Sequence, residues 1–376
     1  MTTTRIDNVR LVVPGEKIAT GSLRLAAGKI AAVDFHPVAG KVPLLTPGLI
    51  DVHTHGIERH IYEAGPDALQ AGATALARYG TTSVLPTLYA ALTRDKLSEL
   101  DTLAGALEKT SLPGFHLEGP FLALAGAGAH TMPGDLGLLA ELLAACRHRV
   151  RAMSISPETP NIVPVIQRLR ETGVSVFMTH TRASVDQTEA AIAAGAQHAT
   201  HFYDVFPVPV ETEPGVRPVG AVEAILADRR ASVDFIADGV HVHPVAIKAA
   251  LAAKGWSGIV LISDSNIGAG LTPGIHETPW GYRVRVAAGD AARHETQGFL
   301  AGSALTMNAG IRNLLRWLDL PAEQVWAMGT LNPARLAGLT GKGRMAVGAD
   351  ADLVLWDENL EPLKTWVGGE CIYEKV

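Results

Sequence analysis

The sequence predicts an α/β fold, a (β/α)8 TIM-type barrel with a small β-sandwich domain built from both chain ends. Two observations predict it. Eight apolar, strand-like runs alternate with helical patterns along most of the chain, which is typical of parallel βαβ units. The ionisable residues best suited to catalysis come directly after these runs, and in a closed barrel the C-terminal ends of all strands share one catalytic face.

The two chain ends carry short strand-like pieces separated by turn residues. Examples are 9–13 and 21–25 near the start and 352–356 near the end, each bounded by residues that favour turns. Neither end has enough strands to bury a core by itself. We therefore expect residues 1–48 and 345–376 to form the small β domain together, and residues 49–344 to form the catalytic barrel.

The barrel strands are predicted from runs of apolar residues at regular spacing, at 45–53, 83–88, 114–118, 150–155, 174–179, 199–203, 231–236 and 258–262. Helical patterns separate them, at 66–79, 93–109, 135–148, 160–172, 184–194, 218–228 and 244–253. A doubly wound open sheet is the alternative, but eight such units favour closure into a barrel.

The segment after the eighth strand leads back to the small domain. It contains a predicted hairpin at 282–288 and two predicted helices at 303–317 and 321–329.

Composition restricts the classes of partner. The chain has 376 residues, 47% of them hydrophobic, and a formal net charge of −6 without a run of Lys and Arg, which argues against nucleic acid. Cys146 and Cys371 are too few for a disulfide framework. Neither a signal-peptide pattern nor a membrane-length apolar run is visible. We expect a cytoplasmic enzyme with a small-molecule substrate and no membrane association.

His53 and His55 stand two positions apart at the end of the first predicted strand. Side chains at that spacing point to the same side of a strand, and two neutral imidazoles suit a transition metal such as zinc, iron or manganese. The pattern is weak alone, because many such pairs are structural. Its position at the start of a barrel strengthens the metal interpretation.

Glu118, His180 and His201 occupy matching positions after the third, fifth and sixth predicted strands. A buried carboxylate is costly unless it is paired or bound to metal. The alternatives are a loop-anchoring acid for Glu118 and satisfied structural histidines for the other two. The repetition of the same placement favours metal ligands.

Asp264 follows the eighth strand and His241 the seventh. A carboxylate at that position can accept a proton from metal-activated water and return it to a leaving amine, whereas its structural alternative is a helix N-cap. His241 is placed to polarise a substrate carbonyl. We interpret its neighbours Asp238 and His243 as structural.

Several motifs together resemble the amidohydrolase superfamily, and within it the N-acetylglucosamine-6-phosphate deacetylases. They are PGLIDVHTHG (47–56), HLEGPFL (116–122), GAH (128–130), ATHFYD (199–204), EPG (213–215) and IADGVHV (236–242). The resemblance implies a homodimer of barrels that hydrolyses an N-acetyl amino sugar, N-acetylglucosamine 6-phosphate or its galactosamine analogue, to an amino sugar and acetate.

The same resemblance assigns roles to residues. It implies that Glu118, His180 and His201 hold the main divalent ion, with zinc expected and iron, manganese or cobalt as alternatives, and that His53 and His55 hold a second one. Asp264 would be the general base and acid. His241 would contact the acetamide carbonyl, and His130 the sugar.

Two departures from the family pattern concern the substrate's distal group. Asp204 and Val205 replace an Asn-Ala pair, and Thr212 replaces an Arg beside EPG. Phosphate prefers Arg and fixed N–H donors, and an ionised Asp204 repels it. Arg217 follows EPG and is the candidate to compensate.

The alternative enzyme is therefore a related amidohydrolase acting on a non-phosphorylated N-acyl sugar or an N-acyl amino acid. A third hypothesis is a catalytically silent barrel that serves as a scaffold. Such relatives typically lose ligands, whereas every predicted ligand is present here.

Overall fold

The barrel is an eight-stranded parallel sheet whose strands are hydrogen-bonded in chain order. It is seen in a computed structural model that describes residues 3–126, 128–278 and 281–375. The predicted barrel is confirmed. Its strands are Leu49–Thr54, Thr81–Leu88, Phe115–Glu118, Val150–Ile155, Ser175–Met178, His198–Ala199, Ser232–Ile236 and Ile259–Ile262.

The first and eighth strands meet through bonds just beyond their ladders. The N–H of Asp264 donates to the carbonyl of His53 at 3.0 Å, and the N–H of His55 donates to the carbonyl of Ser265 at 2.9 Å. The carboxylate of Asp51 accepts from the Ser263 hydroxyl at 2.5 Å. Closure is therefore made at the end of the barrel where the candidate site residues lie.

Seven helices alternate with the strands among the described residues. They are Pro66–Ala75, Leu97–Leu107, Leu136–Ala145, Ile162–Glu171, Val185–Ala194, Ala221–Ala227 and Pro244–Lys254. Each lies within its predicted range or within one residue of it, and the ends differ for local reasons. The first helix stops at Ala75 because the chain tightens into a 3₁₀ turn over Leu76–Tyr79 before Gly80, whose φ is 72°.

The sixth strand is much shorter than predicted. The range 199–203 was wrong, since the ladder contains only His198–Ala199. His201 has a φ of 35° and Tyr203 a φ of 80°, and a left-handed backbone cannot continue a strand. The chain turns there and carries His201 into the site.

Apolar side chains fill the barrel below the site. Val52, Leu85, Phe177 and Ile262 are buried in one cluster with Ala334, which lies in a helix that the sequence did not predict, Leu331–Leu336. The two helices before it are Met307–Trp317 and Ala322–Met328. This packing supports the C-terminal end of the strands, where barrels of this type carry their catalytic residues.

The two chain ends join in one seven-stranded sheet. Its strands in spatial order are Glu370–Glu374, Pro362–Val367, Leu353–Trp356, Leu44–Pro47, Thr3–Val13, Lys17–Ala26 and Lys29–Phe35. Leu11, Leu23, Leu45, Leu353 and Trp366 form its own buried cluster. The domain boundaries at 48/49 and 344/345 stay a prediction.

An insertion follows the eighth strand and reaches over the barrel mouth. It is a three-stranded antiparallel sheet, Gly274–Glu277, Arg283–Val286 and Arg293–His294, where the sequence predicted a hairpin. A two-stranded ribbon, Gly56–Ile57 with His60–Ile61, follows the first barrel strand. Of the helices in the described part of the chain, none is both long and apolar enough to cross a membrane.

Candidate metal and active site

A cavity of about 510 Å³ opens at the C-terminal end of the barrel. Sequence-predicted residues from six different strand ends line it together: His55, Glu118, His180, His201, His241 and Asp264. His53 is fully buried against them, and Asp204 and Val205 line the outer part. The barrel thus gathers nearly all predicted site residues in one place.

Glu118 is the hub of this cluster. Its Oε1 lies 3.1 Å from Nε2 of His180 and 3.1 Å from Nε2 of His201. Burial raises the pKa of the Glu118 carboxyl, but the surrounding imidazoles of His53, His180 and His201 outweigh burial and hold that pKa well below its ordinary value. The carboxylate is therefore ionised and surrounded by nitrogen donors.

His53, His55 and Asp264 form a second group beside the hub. Oδ1 of Asp264 lies 3.5 Å from Nε2 of His53 and 3.3 Å from Nε2 of His55. Oε2 of Glu118 is 3.5 Å from Nε2 of His55. In each of the sets His53–His55–Asp264 and His53–Glu118–His201, one ligand atom per residue lies within 4.8 Å of the others. Glu118 therefore lies next to both groups.

The donor set fits divalent cations. Both ring nitrogens of His53 are buried without a hydrogen-bond partner among the described residues, which is costly unless another ligand binds them. Burial lowers the pKa of His55 and of His201, but Asp264 and Glu118 outweigh it and raise these values to about 9 and about 10. The carboxylates thus favour positive charge, and bound metal replaces such protons.

Three of the site residues have a strained backbone. His180, His201 and Asp264 have φ values of 47°, 35° and 46°, in the left-handed region that residues with a side chain rarely adopt. Each such residue costs of order 1–3 kcal/mol and persists only where its surroundings enforce it, often at functional sites. Because all three strand ends adopt this conformation, all three side chains point into the same cavity.

His241 is held by Asp238. Nδ1 of His241 lies 2.6 Å from Oδ2 of Asp238, and Oδ1 of Asp238 accepts the N–H groups of Val240 and His241 at 2.8 and 2.9 Å. Burial lowers the pKa of His241, but the bond to Asp238 outweighs it and raises that pKa. Asp238 therefore orients His241, while His243 caps the helix that begins at Pro244.

Two predicted substrate-binding residues are not among the described residues that line the cavity of a single chain. His130 is half-buried, and its Nε2 lies 3.2 Å from the carbonyl oxygen of Ala90. The Arg217 side chain is 82% exposed and pairs with Glu223 at 3.2 Å. Their contacts with substrate stay predictions.

Sequence reasoning did not single out three polar residues beneath the site. His116 joins the carbonyl of Val52 (2.8 Å) to the hydroxyl of Ser154 (2.7 Å). Asp51 and Asp234 each accept the backbone N–H of a candidate ligand, His53 and His201 respectively. A charged residue inside an apolar strand is the signal that could have identified Asp234, since it must find buried partners.

Comparison with known proteins decides the family. The chain matches the amidohydrolase family over residues 44–372. The chain belongs to this family. The resemblance inferred from the motifs is thereby confirmed.

Two similar relatives carry one kind of name. The chain is 31% identical to the N-acetylglucosamine-6-phosphate deacetylase of Lysinibacillus sphaericus, with 94% of each chain covered. It is 32% identical to the N-acetylgalactosamine-6-phosphate deacetylase of Escherichia coli O157:H7, with 93% of each covered.

A solved structure agrees with these sequence matches. A variant of the Mycobacterium smegmatis N-acetyl-D-glucosamine-6-phosphate deacetylase, in complex with N-acetyl-D-glucosamine-6-phosphate, superposes on this amidohydrolase with a TM-score of 0.86 at 27% identity. The match covers 99% of this chain and all of that one.

Proposed function

We propose that this amidohydrolase removes the acetyl group from N-acetylglucosamine 6-phosphate or its galactosamine analogue, releasing acetate and the amino sugar. The observation that carries the proposal is the Glu118 hub, with two histidines at 3.1 Å and Asp264 in the same cavity. The relatives named for this reaction match the chain over nearly its whole length.

The proposed metal centre has two parts. Glu118, His180 and His201 would hold the main divalent ion, and His53 and His55, beside Asp264, a second. Zinc is the expected metal, since imidazole and carboxylate ligands suit it, with iron, manganese or cobalt as alternatives. A bound divalent ion would polarise the acetamide carbonyl and lower the pKa of a water molecule.

Asp264 would be the general base and then the general acid. Burial raises the pKa of its carboxyl, but the imidazoles of His53 and His55 outweigh burial and lower that pKa far below its ordinary value. The carboxylate is ionised at neutral pH, so an oxygen is free to take a proton from the attacking water. Passing that proton to the sugar nitrogen completes cleavage of the C–N bond.

His241 would hold the oxygen of the scissile carbonyl. It enters the cavity from the seventh strand end, and its raised pKa favours the protonated form. An N–H donor aimed at that oxygen stabilises the negative charge that develops there. Asp238, on the opposite ring nitrogen, keeps the imidazole oriented.

Recognition of the sugar and its phosphate is assigned to four residues. We assign sugar contact to His130, whose neighbour Ala129 lines the cavity, and distal contacts to Asp204, Val205 and Arg217. Among the described residues, no Lys or Arg lines the cavity of one chain. The proposal therefore assigns the phosphate to backbone donors and to Arg217.

We also propose a homodimer in the cytoplasm, with residues 1–48 and 345–376 as the small domain. Val208 and Val210 are 82% and 88% exposed on the segment that carries Arg217, which suits a surface covered by a second copy. Free cysteines, one of them exposed, suit a reducing compartment.

Acetate release from three compounds tests the function. The zinc-loaded enzyme is given N-acetylglucosamine 6-phosphate, N-acetylgalactosamine 6-phosphate and unphosphorylated N-acetylglucosamine, and kcat/KM is measured for each. We expect a clear preference for a phosphorylated sugar. Equal or reversed preference would assign the barrel chemistry to a different amide, and no turnover of any would contradict the proposal.

A further inference from the structure

We propose that Asp234 is a positioning residue for the metal centre, because it fixes the turn that presents His201. Asp234 lies in the seventh barrel strand, Ser232–Ile236, and His201 lies just after the sixth. The inference rests on the proposed metal centre and concerns a residue that does not itself reach the cavity lining.

Asp234 binds three consecutive residues of that turn. Its Oδ2 accepts from the hydroxyl of Thr200 at 2.8 Å, and its Oδ1 accepts the backbone N–H of His201 at 2.5 Å. Its own carbonyl accepts the N–H of Phe202 at 3.0 Å. One residue of the neighbouring strand therefore holds the whole segment by which the chain leaves the sixth strand.

The Asp234 carboxylate is itself held in place. It is fully buried, and its Oδ2 lies 2.7 Å from Nε2 of His198, whose Nδ1 lies 2.6 Å from the hydroxyl of Ser232. Leaving a buried carboxylate without donors is costly, so its orientation is fixed by the groups that satisfy it. It provides a rigid acceptor for the turn.

The turn needs such an acceptor because it is strained. His201 has a φ of 35°, and this conformation carries its imidazole toward Glu118, with 3.1 Å from Nε2 to Oε1. Without an acceptor on Asp234 the buried N–H of His201 is orphaned, and the backbone gains nothing by staying in the left-handed region. The imidazole then loses its fixed place beside Glu118.

Zinc affinity measures this role. Partners that orient a metal ligand typically account for 10–100-fold in metal affinity. We expect the zinc dissociation constant at the tighter site, measured by competition with a chromophoric chelator, to rise about tenfold in Asp234→Asn and about 100-fold in Asp234→Ala. The amide of Asn keeps one acceptor for the His201 N–H, so Asn should rescue part of the loss.

A spectroscopic readout separates positioning from general stability. The visible absorption bands of the cobalt-loaded protein depend on ligand geometry, so they should shift in both variants. Asp101→Asn is the matched control, since it makes the same substitution at an exposed ion pair with Arg147 and touches neither Asp234 nor His201. It should leave the zinc affinity within about twofold and the cobalt spectrum unchanged.

The outcomes are distinguishable. If the unsubstituted protein binds no zinc, the proposed metal centre fails and the role of Asp234 falls with it. If the parent binds zinc and the folded Asp234 variants match it within about twofold, only the positioning role is overturned. Should Asp234→Ala fail to fold, Asp234→Asn alone decides: weaker zinc binding supports the role, and parental binding with a lowered melting temperature makes Asp234 merely structural.

Discussion

The inner and outer halves of the cavity are built differently. In the inner half, His53, Glu118 and His201 are at most 5% exposed and lie at strand ends or on the turns that leave them. In the outer half, Tyr282, Phe299 and Leu300 belong to the insertion, and Phe299 is 53% exposed. The residues proposed for chemistry thus lie on the barrel frame, whereas much of the outer lining belongs to a segment added to it.

The two halves also differ in charge. The inner half pairs two carboxylates, Glu118 and Asp264, with histidines whose pKa values they raise. Among the described residues that line the outer half, Asp204 is the charged one, and it is acidic. The inner half suits cations, whereas the charged side chain of the outer half repels a phosphate.

The largest effect should come from the inner half, with Asp264→Asn. Losing the proton acceptor should lower kcat by about 10²–10⁴-fold, while at least one zinc per chain stays bound to Glu118, His180 and His201. Steady-state acetate release and metal analysis of the same sample check this. Asp101→Asn, at an exposed ion pair with Arg147, should keep parental kcat. If Asp264→Asn kept near-parental turnover, Asp264 would not be the general base.

Replacing both His53 and His55 by Asn should affect metal content next. Zinc per chain should fall from about two to about one, because the Glu118 group remains, and kcat should fall less than in Asp264→Asn. Metal analysis after dialysis gives the number. His148→Asn, an exposed histidine, is the control. An unchanged amount of zinc per chain would mean that His53 and His55 are structural residues rather than metal ligands.

Asp238→Asn should shift a pH profile. Burial lowers and Asp238 raises the pKa of His241, with a net rise, so removing the charge of Asp238 should lower that pKa. Protonated His241 would then be lost at lower pH, and the alkaline limb of kcat should move toward acid. Exposed Asp186→Asn should leave the limb unmoved. An alkaline limb that stays in place in Asp238→Asn would remove His241 as the group responsible.

The smallest effect should appear in the outer half, with Asp204→Asn. Removing a partly exposed like charge should lower KM for the phosphorylated sugar by about two- to fivefold, equivalent to about 0.5–1 kcal/mol. KM for the unphosphorylated sugar should not change. Measuring both on one preparation makes each the control for the other. A parallel fall in both KM values would mean that Asp204 does not act on the phosphate.

The placement of the inner-half residues at strand ends has a local signal in the sequence. An apolar run followed by His, Glu or Asp identifies both the strand and the residue that leaves it, as at His180 and Asp264. The predicted end of the sixth strand was wrong because a side chain from the next strand determines it. Asp234 accepts a hydrogen bond from the N–H of His201. A partner 33 residues away leaves no periodic pattern near the turn.

The outer half was harder to predict for a physical reason. The insertion forms three short strands rather than one hairpin, and its apolar residues cover the mouth through turns that lack a repeating pattern. Arg217 was assigned from its place after EPG, but sequence position does not fix where an exposed side chain points. In the structure it pairs with Glu223.

Metal removal and return tests whether the inner half is a metal-dependent hydrolytic centre. Acetate release from N-acetylglucosamine 6-phosphate is measured before chelation, after chelation and dialysis, and after zinc is restored. We expect turnover to be lost on chelation and recovered in proportion to the zinc bound per chain. Full turnover by a protein shown to be free of metal would contradict the assignment of this cluster.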